Sequence, residues 1–261
     1  MREHPQNLKM NKMSPLQLIK DQLKEAGHVV VLTGAGMSQE SGLPTYRATE
    51  DGLWNQHVIS EVATAEALRS NPKKVWQWLQ SLTQNVAGAA PNAGHAALAQ
   101  LQQQCKVTVV TQNVDDLHER AGSIEVIHLH GNAFAYRCAD CDRPMAVATP
   151  LPSDWEMLRQ QVRCTHCDGH IRHDVVLFNE MLDHTRVDRA RQAIHDCHVV
   201  LMVGTSNLVY PAAALPIYAM ELNKFVAEIN PQDTPMSSMV SARLNSLAAS
   251  ALPELMDWLA N

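Results

Sequence analysis

The 261-residue chain has no excess of basic residues: 21 Lys and Arg stand against 27 Asp and Glu, for a net charge of −6 and a pI near 6.1. That balance excludes a broad nucleic-acid face, which needs clustered positive charge, so no direct nucleic-acid partner is expected. No run of 18 or more apolar residues occurs, which excludes a membrane-spanning helix at the level of sequence. Residues 1–13 have no apolar core and no cleavage site of the secretory kind, so they are expected to be a loosely held tail and the protein to be cytoplasmic. Internal repeats and low-complexity tracts are missing as well. What remains is the composition of a folded protein, 46% hydrophobic and 18% charged, and long enough to bury a full core.

Four of the six cysteines stand as two pairs, Cys138-x-x-Cys141 and Cys164-x-x-Cys167, with 22 residues between them. Each pair can present two thiolates from one turn, and four thiolates fit the tetrahedral shell of zinc. Free thiols or a redox pair would explain one such motif, but two in tandem favour the metal. A shell of four thiolates leaves no open position, so the zinc is expected to be structural. His166 and His170 lie in the same segment as weaker candidate ligands. Cys105 and Cys197 adjoin apolar runs and read as small buried hydrophobes.

Short β-branched runs at 28–33, 106–111, 125–129, 174–178, 197–204 and 224–229 are the length of single strands, mostly apolar throughout, as in a parallel sheet covered on both faces. Helical patterns at 15–26, 91–103, 187–196 and 210–222 alternate with them. The alternation predicts an α/β fold, a doubly wound Rossmann-like parallel sheet. Its segments would be 14–49, 91–133 and 173–261, while a helical excursion over 50–90 and the cysteine-bearing stretch 134–172 would form a smaller second lobe.

The first strand runs into Gly34-Ala35-Gly36-Met37-Ser38, a turn suited to close approach of a pyrophosphate. The hydride-transfer fingerprint fails: its third glycine position holds Gln39, and no acidic residue follows about 20 positions on to take the ribose hydroxyls. The motif continues through Gln39-Glu40-Ser41-Gly42-Leu43-Pro44-Thr45-Tyr46-Arg47, and in this form resembles the opening signature of the sirtuins, the NAD-dependent protein deacylases. Thr111-Gln112-Asn113-Val114-Asp115-Asp116-Leu117-His118 is similar to the family's second signature, and His128-Leu129-His130-Gly131 to the segment bearing its catalytic histidine. The paired C-x-x-C motifs, Gly204-Thr205-Ser206 and Ile229-Asn230-Pro231 follow in the family's order.

The resemblance implies a chemistry. In that family the acyl oxygen of a modified lysine attacks the nicotinamide ribose and expels nicotinamide; a histidine then takes a ribose proton, and water completes release of lysine and O-acyl-ADP-ribose. The expected cofactors are NAD and Zn2+, with Cys138, Cys141, Cys164 and Cys167 holding the metal, and the partner is an acyl-lysine protein or peptide. A histidine suits the proton removal at cellular pH. Alternation along a strand would put His128 and His130 on one face and cannot choose between them; the match beside Gly131 assigns the base to His130. Asn113 matches the residue that holds ribose hydroxyls and water, and Asp115 the one that accepts from the nicotinamide carboxamide, although Asp115 also reads as a helix N-cap. Gly34, Ala35, Gly36, Ser38, Tyr46, Arg47, Gln112, Gly204, Thr205, Ser206, Asn230 and Ala248 complete the cofactor set. An NAD glycohydrolase or ADP-ribosyltransferase on the same fold is the alternative, since both break the same bond.

Departures from the family pattern sharpen the expectation. Thr45-Tyr46-Arg47 replaces the common Asp-Phe-Arg and is typical of a branch that includes enzymes removing acidic acyl groups. In that branch a tyrosine and an arginine on the helical excursion read the acyl carboxylate, and here Leu79 and Leu82 occupy those positions. The acyl pocket is therefore expected to be apolar, unless these leucines only form a core stripe with Trp76 and Trp78. Asn179 and Asn207 stand at unusual positions, in the substrate segment and after Gly204-Thr205-Ser206, and Asn207 is read as a possible sign of altered chemistry.

Overall fold

The computed structural model describes residues 13–44, 56–148 and 150–260. The expected tail, apart from Met13, lies outside them, as do Thr45, Tyr46 and Arg47. In chain order the elements are α1 (Pro15–Glu25), β1 (His28–Thr33), α2 (Ala35–Ser38), α3 (Gln56–Val62), α4 (Ala65–Ser70), α5 (Pro72–Gly88), α6 (Ala93–Leu101) and β2 (Lys106–Thr111). Then come α7 (Leu117–Arg120), β3 (Glu125–His128), β4 (Gly131–Cys138), α8 (Trp155–Gln161), β5 (Ile171–Val175), α9 (His184–Asp196) and β6 (Val199–Val203). The chain closes with α10 (Ala214–Glu221), β7 (Phe225–Ile229), β8 (Ala242–Leu244) and α11 (Ala248–Leu255).

Six strands form one parallel sheet in the order β3-β2-β1-β6-β7-β8. The period of two along β1 decides which side each residue feeds. Val29 and Val31 pack with Ile19 and Leu23 of α1, Leu98 of α6 and Leu252 of α11. Val30 and Leu32 pack with Ala190 and Ile194 of α9 and Ala219 of α10. All six residues of β1 are buried, the reason its run is apolar without alternation. Helix starts follow local chemistry: the Ser14 hydroxyl accepts from the Gln17 amide ahead of Pro15, and the Asn92 side chain with His95 closes a capping box on α6. The order reverses beside β1, so the crevice at the strands' carboxyl ends opens between the loops after β1 and β6.

A second unit packs apart from this sheet. β4 and β5 pair antiparallel, and α5 lays Val75, Leu79, Leu82 and Val86 against Ala133, Val175 and Leu177. Trp76, Trp155, Leu158 and Ile171 make a further small cluster. The run at 174–178 is thus not a strand of the main sheet. Its first two residues, Asp174 and Val175, end β5, while Val176 donates to the His130 carbonyl and Phe178 to that of Ala63, because the loop's backbone finds its partners in other loops. β4 and β8 are strands that periodicity did not announce, and the helix expected over 210–222 begins only at Ala214. Cys197 is buried and Cys105 half-buried. No helix among the described residues is long and apolar enough to cross a membrane.

Candidate active site and metal centre

At the carboxyl ends of β1, β2, β6 and β7 a cavity of about 970 Å³ opens between the sheet and the second unit, at the upper end of the ~300–1,000 Å³ usual for small-molecule sites. Every described residue of the expected cofactor and catalytic set lines it: Gly34, Ala35, Gly36, Ser38, Gln112, Asn113, Asp115, His130, Gly204, Thr205, Ser206, Asn230 and Ala248.

The glycines have a reason the sequence did not disclose. A Cβ on Gly34 would lie 2.8 Å from the Thr205 Cα, and one on Gly36 2.7 Å from that of Gly204. The loops after β1 and β6 touch backbone to backbone, with the Gly36 amide donating to the Gly204 carbonyl at 2.9 Å. Gly204 itself has φ +59, a left-handed conformation that favours glycine. Close approach to a ligand is thus added to a contact the fold already requires.

His130 lies in the turn after β3, with Nδ1 2.9 Å from the Gln112 carbonyl. A carbonyl oxygen only accepts, so Nδ1 carries the hydrogen and Nε2 keeps its lone pair. Burial pushes the His130 pKa down, outweighing the opposite pull of that carbonyl, so the ring is neutral around pH 7. The Gln112 side chain donates to Thr205 Oγ1 at 2.8 Å, joining the histidine's support to the loop after β6. Asn113 Nδ2 donates to the Gly34 carbonyl and to Ser38 Oγ, both at 3.1 Å, and Ser38 Oγ donates to Asp115 Oδ2 at 2.9 Å. The other Asp115 oxygen accepts from the Leu117 amide at 3.2 Å, so the N-cap-like role coexists with a place on the cavity wall. Burial raises the Asp115 pKa, against the pull of Ser38, Leu117 and the His128 charge. Asn230 Nδ2 donates to the Thr205 carbonyl at 2.9 Å.

The two leucines separate. Leu82 lines the cavity with Trp78, Asn85 and Val86, whereas Leu79 is buried in the core behind them. Among the described lining residues the only charged side chains are Asp115 and Glu180. Glu180 accepts from the Arg172 guanidinium at 2.6 and 3.0 Å and from the Leu177 amide at 2.8 Å, which fixes the segment 177–180 on the cavity rim. Asn179 and Asn207 have φ +67 and +55. Asparagine is among the few residues that tolerate this region, so the backbone geometry supplies a structural reason for both. Leu43, Val114 and Leu177 also line the cavity and escaped the sequence reading, since an apolar lining residue looks like core.

The four paired cysteines converge, with their sulfurs all within 4.8 Å of one another. Cys138 and Cys167 Sγ are 3.5 Å apart, and Cys141 and Cys164 Sγ 3.8 Å. A tetrahedral site with Zn–S near ~2.3 Å has edges of about 3.8 Å, so the donor set fits zinc. The two turns match: the Asp142 amide donates to the Cys138 carbonyl and the Asp168 amide to that of Cys164, with φ +58 and +59 at the aspartates. His166 and His170 are not among the converging ligands, and the His170 ring is engaged by Arg159 and Arg163.

A family model described as the Sir2 family matches residues 34–211. Over 231 residues the chain is 43% identical to an NAD-dependent protein deacylase of Mycolicibacterium paratuberculosis, covering 88% of this chain and 97% of the relative. Its structure is similar to that of a Sir2 homologue–NAD complex, with a TM-score of 0.80, 38% identity and 93% of each chain covered. It is also similar to a Sir2–p53 peptide–NAD+ complex, with a TM-score of 0.77, 29% identity, and 93% and 98% of the chains covered.

Proposed function

Because the chain belongs to the Sir2 family, we propose that it is an NAD-dependent protein-lysine deacylase acting in the cytoplasm, with an acyl-lysine protein or peptide and NAD as its substrates. When bound, NAD supplies an electrophilic ribose carbon and a nicotinamide leaving group. One observation carries the reading: His130, with its hydrogen held on Nδ1 by Gln112, lines the same cavity as Asn113 and Asp115. That tautomer leaves Nε2 to take a ribose proton. Asn113 holds ribose hydroxyls and water, and the Asp115 carboxylate accepts from the nicotinamide carboxamide. The loops after β1, β6 and β7 carry the rest of the dinucleotide through Gly34, Ala35, Gly36, Ser38, Gly204, Thr205, Ser206, Asn230 and Ala248, with Tyr46 and Arg47 adding contacts. Zinc on Cys138, Cys141, Cys164 and Cys167 is structural, since its shell is closed. Residues 14–49, 91–133 and 173–261 form the NAD-binding domain, and 50–90 with 134–172 the small one.

The acyl group passes toward Trp78, Leu82 and Val86, an apolar wall with no lysine or arginine among the described lining residues. Acetyl or longer uncharged chains fit it. A succinyl carboxylate there would lose its water and gain no partner, at a cost of several kcal/mol. Even about 3 kcal/mol means a preference above a hundredfold. Two measurements test the reading. Nicotinamide release from NAD should require an acyl-lysine peptide; release without one would make the chain a glycohydrolase. In kcat/KM for one peptide, the acetyl and butyryl forms should exceed the succinyl form, and the reverse order would require a cation in the pocket.

A further inference from the structure

Two histidines flank Leu129, and the proposed chemistry uses one of them. His128 closes β3 against β2, and its ring lies between the turn after β2 and helix α7. Nδ1 is 3.3 Å from the Asn113 carbonyl oxygen, and Nε2 is 2.6 Å from Glu119 Oε1. A carbonyl and an ionised carboxylate both only accept, so a ring that satisfies them together carries a hydrogen on each nitrogen and is an imidazolium. Its side chain is 11% exposed, so the charge is largely screened from solvent.

We infer that His128 and Glu119 form a positioning pair, in which the His128 imidazolium holds the Asn113 carbonyl and places a positive charge behind the turn that presents Asn113 and Asp115 to the cofactor. The turn is also tied by the Ala133 amide on the Val114 carbonyl at 2.8 Å, by the Asn113 side chain on Gly34 and Ser38, and by the Ser38 hydroxyl and Leu117 amide on Asp115. None of these brings a cation to Asp115; Arg120 of α7 faces Asp116 at 3.6 Å instead. The His128 charge joins the Ser38 and Leu117 hydrogen bonds in opposing the burial that raises the Asp115 pKa, and so favours the carboxylate that accepts best from a carboxamide.

The charged and titratable groups around His128 agree with this assignment. Glu119 faces it from α7 and Asp115 from the turn, both negative. Arg186 of α9 donates to the His128 carbonyl and is itself paired with Asp174. His118 of α7 is kept neutral by burial, with His95 and His128 adding to the effect. Burial alone would lower the His128 pKa; the Glu119 hydrogen bond and charge, the Asn113 carbonyl and Asp115 together raise it. For Glu119, burial is likewise outweighed by His128, and its pKa is lowered.

The two histidines thus pull in opposite senses with pH. His130 must be neutral to act, and His128 must be charged to hold the turn, so activity rises through the lowered pKa of one and falls through the raised pKa of the other. The role in deacylation rests on the proposed function, but the pair is also testable in cofactor binding alone. The experiment compares the full-length zinc-loaded wild type with His128→Gln and Glu119→Gln. It reads NAD affinity from pH 6 to 9, the histidine Cε1–H titration by NMR, and KM and kcat with acetyl-peptide. Glu119→Gln should move the His128 titration, and with it the alkaline loss of NAD affinity, to lower pH. His128→Gln should abolish that loss and raise the KM for NAD roughly tenfold, with kcat changed by less than about threefold. Zinc content and Tm serve as folding controls. A His128 titration unmoved in Glu119→Gln, or a wild-type alkaline profile in His128→Gln, overturns the inference. An intact binding profile without any deacylation would instead sink only the proposed function.

Discussion

The main sheet and the cysteine-bearing unit are held together by different physics. Among the described residues, the faces of the main sheet bury clusters of 22 and 16 residues, against eight and four in the smaller unit. At roughly 25 cal/mol per Å² of apolar surface, the sheet's cores supply by far the larger share of burial, while the second unit has twelve buried residues in two separate patches. What the second unit has instead is polar: four converging thiols, the Arg172–Glu180 fork, and Arg186 on Asp174. One region is built mainly on burial, the other on small apolar patches beside converging thiols and ion pairs.

The sharpest way to break this contrast is to remove the metal. Structural zinc sites contribute on the order of 10 kcal/mol of binding energy that is also folding energy. Cys164→Ser, or a strong chelator, should release zinc and expose the 134–172 segment to protease while the main sheet keeps its hydrogen-exchange protection. A chelated protein that stays fully active and protease-resistant would show that the apolar patches suffice. The second test falls on the seam. His130→Ala should lower deacylation by roughly 10²–10⁴-fold, the usual contribution of a general base, with Tm and NAD affinity nearly unchanged. If most activity survives, the base is another group.

The third prediction sharpens the comparison, because each region contains a fully buried neutral histidine, with His118 a second in the main region. His95 lies on the buried face of α6 and His173 in β5, and burial lowers the pKa of each to about 4. Between pH 6.5 and 4 the unfolded chain binds protons that the folded chain refuses, so stability is complete above pH 6.5 and falls as the medium is acidified. Each group contributes about 3 kcal/mol by pH 4. His95→Gln and His173→Gln should each flatten this acid slope, measured by urea unfolding at pH 7, 5.5 and 4.5. A slope unchanged in both would mean that other groups, His118 and the carboxylates, set the acid sensitivity.

What could be read from the sequence follows the same division. β1, β2, β6 and β7 were legible because strands buried on both faces are largely apolar along their length, and the half-buried edge strand β3 from its β-branched Val126-Ile127. β4 was not, since its pairing with β5 shifts register between Asn132 and Tyr136 and most of its residues are only half-buried. At the site, residues in recognisable motifs were legible, and so was the four-cysteine spacing. The relations between them were not: no spacing announces that Ser38 bridges Asn113 and Asp115, or that Gln112 ties His130 to Thr205. Leu79 and Leu82 were indistinguishable as letters: both pack in one core cluster, and only Leu82 also reaches the cavity wall. His128 and His130 resisted for a related reason. The strand ends at His128, so the alternation that would have put both on one face does not extend to His130.

One consequence follows from how the cysteine-bearing region joins the sheet. The chain leaves through Gly131 and returns through Val175, and these two passages are paired side by side, with the Val176 amide on the His130 carbonyl and no room on Gly131 for even a Cβ. The two passages are thereby fixed to each other beside His130, so even a methyl group at Gly131, 1.9 Å from the Asp174 carbonyl oxygen, would force them apart and shift the backbone of the adjacent histidine.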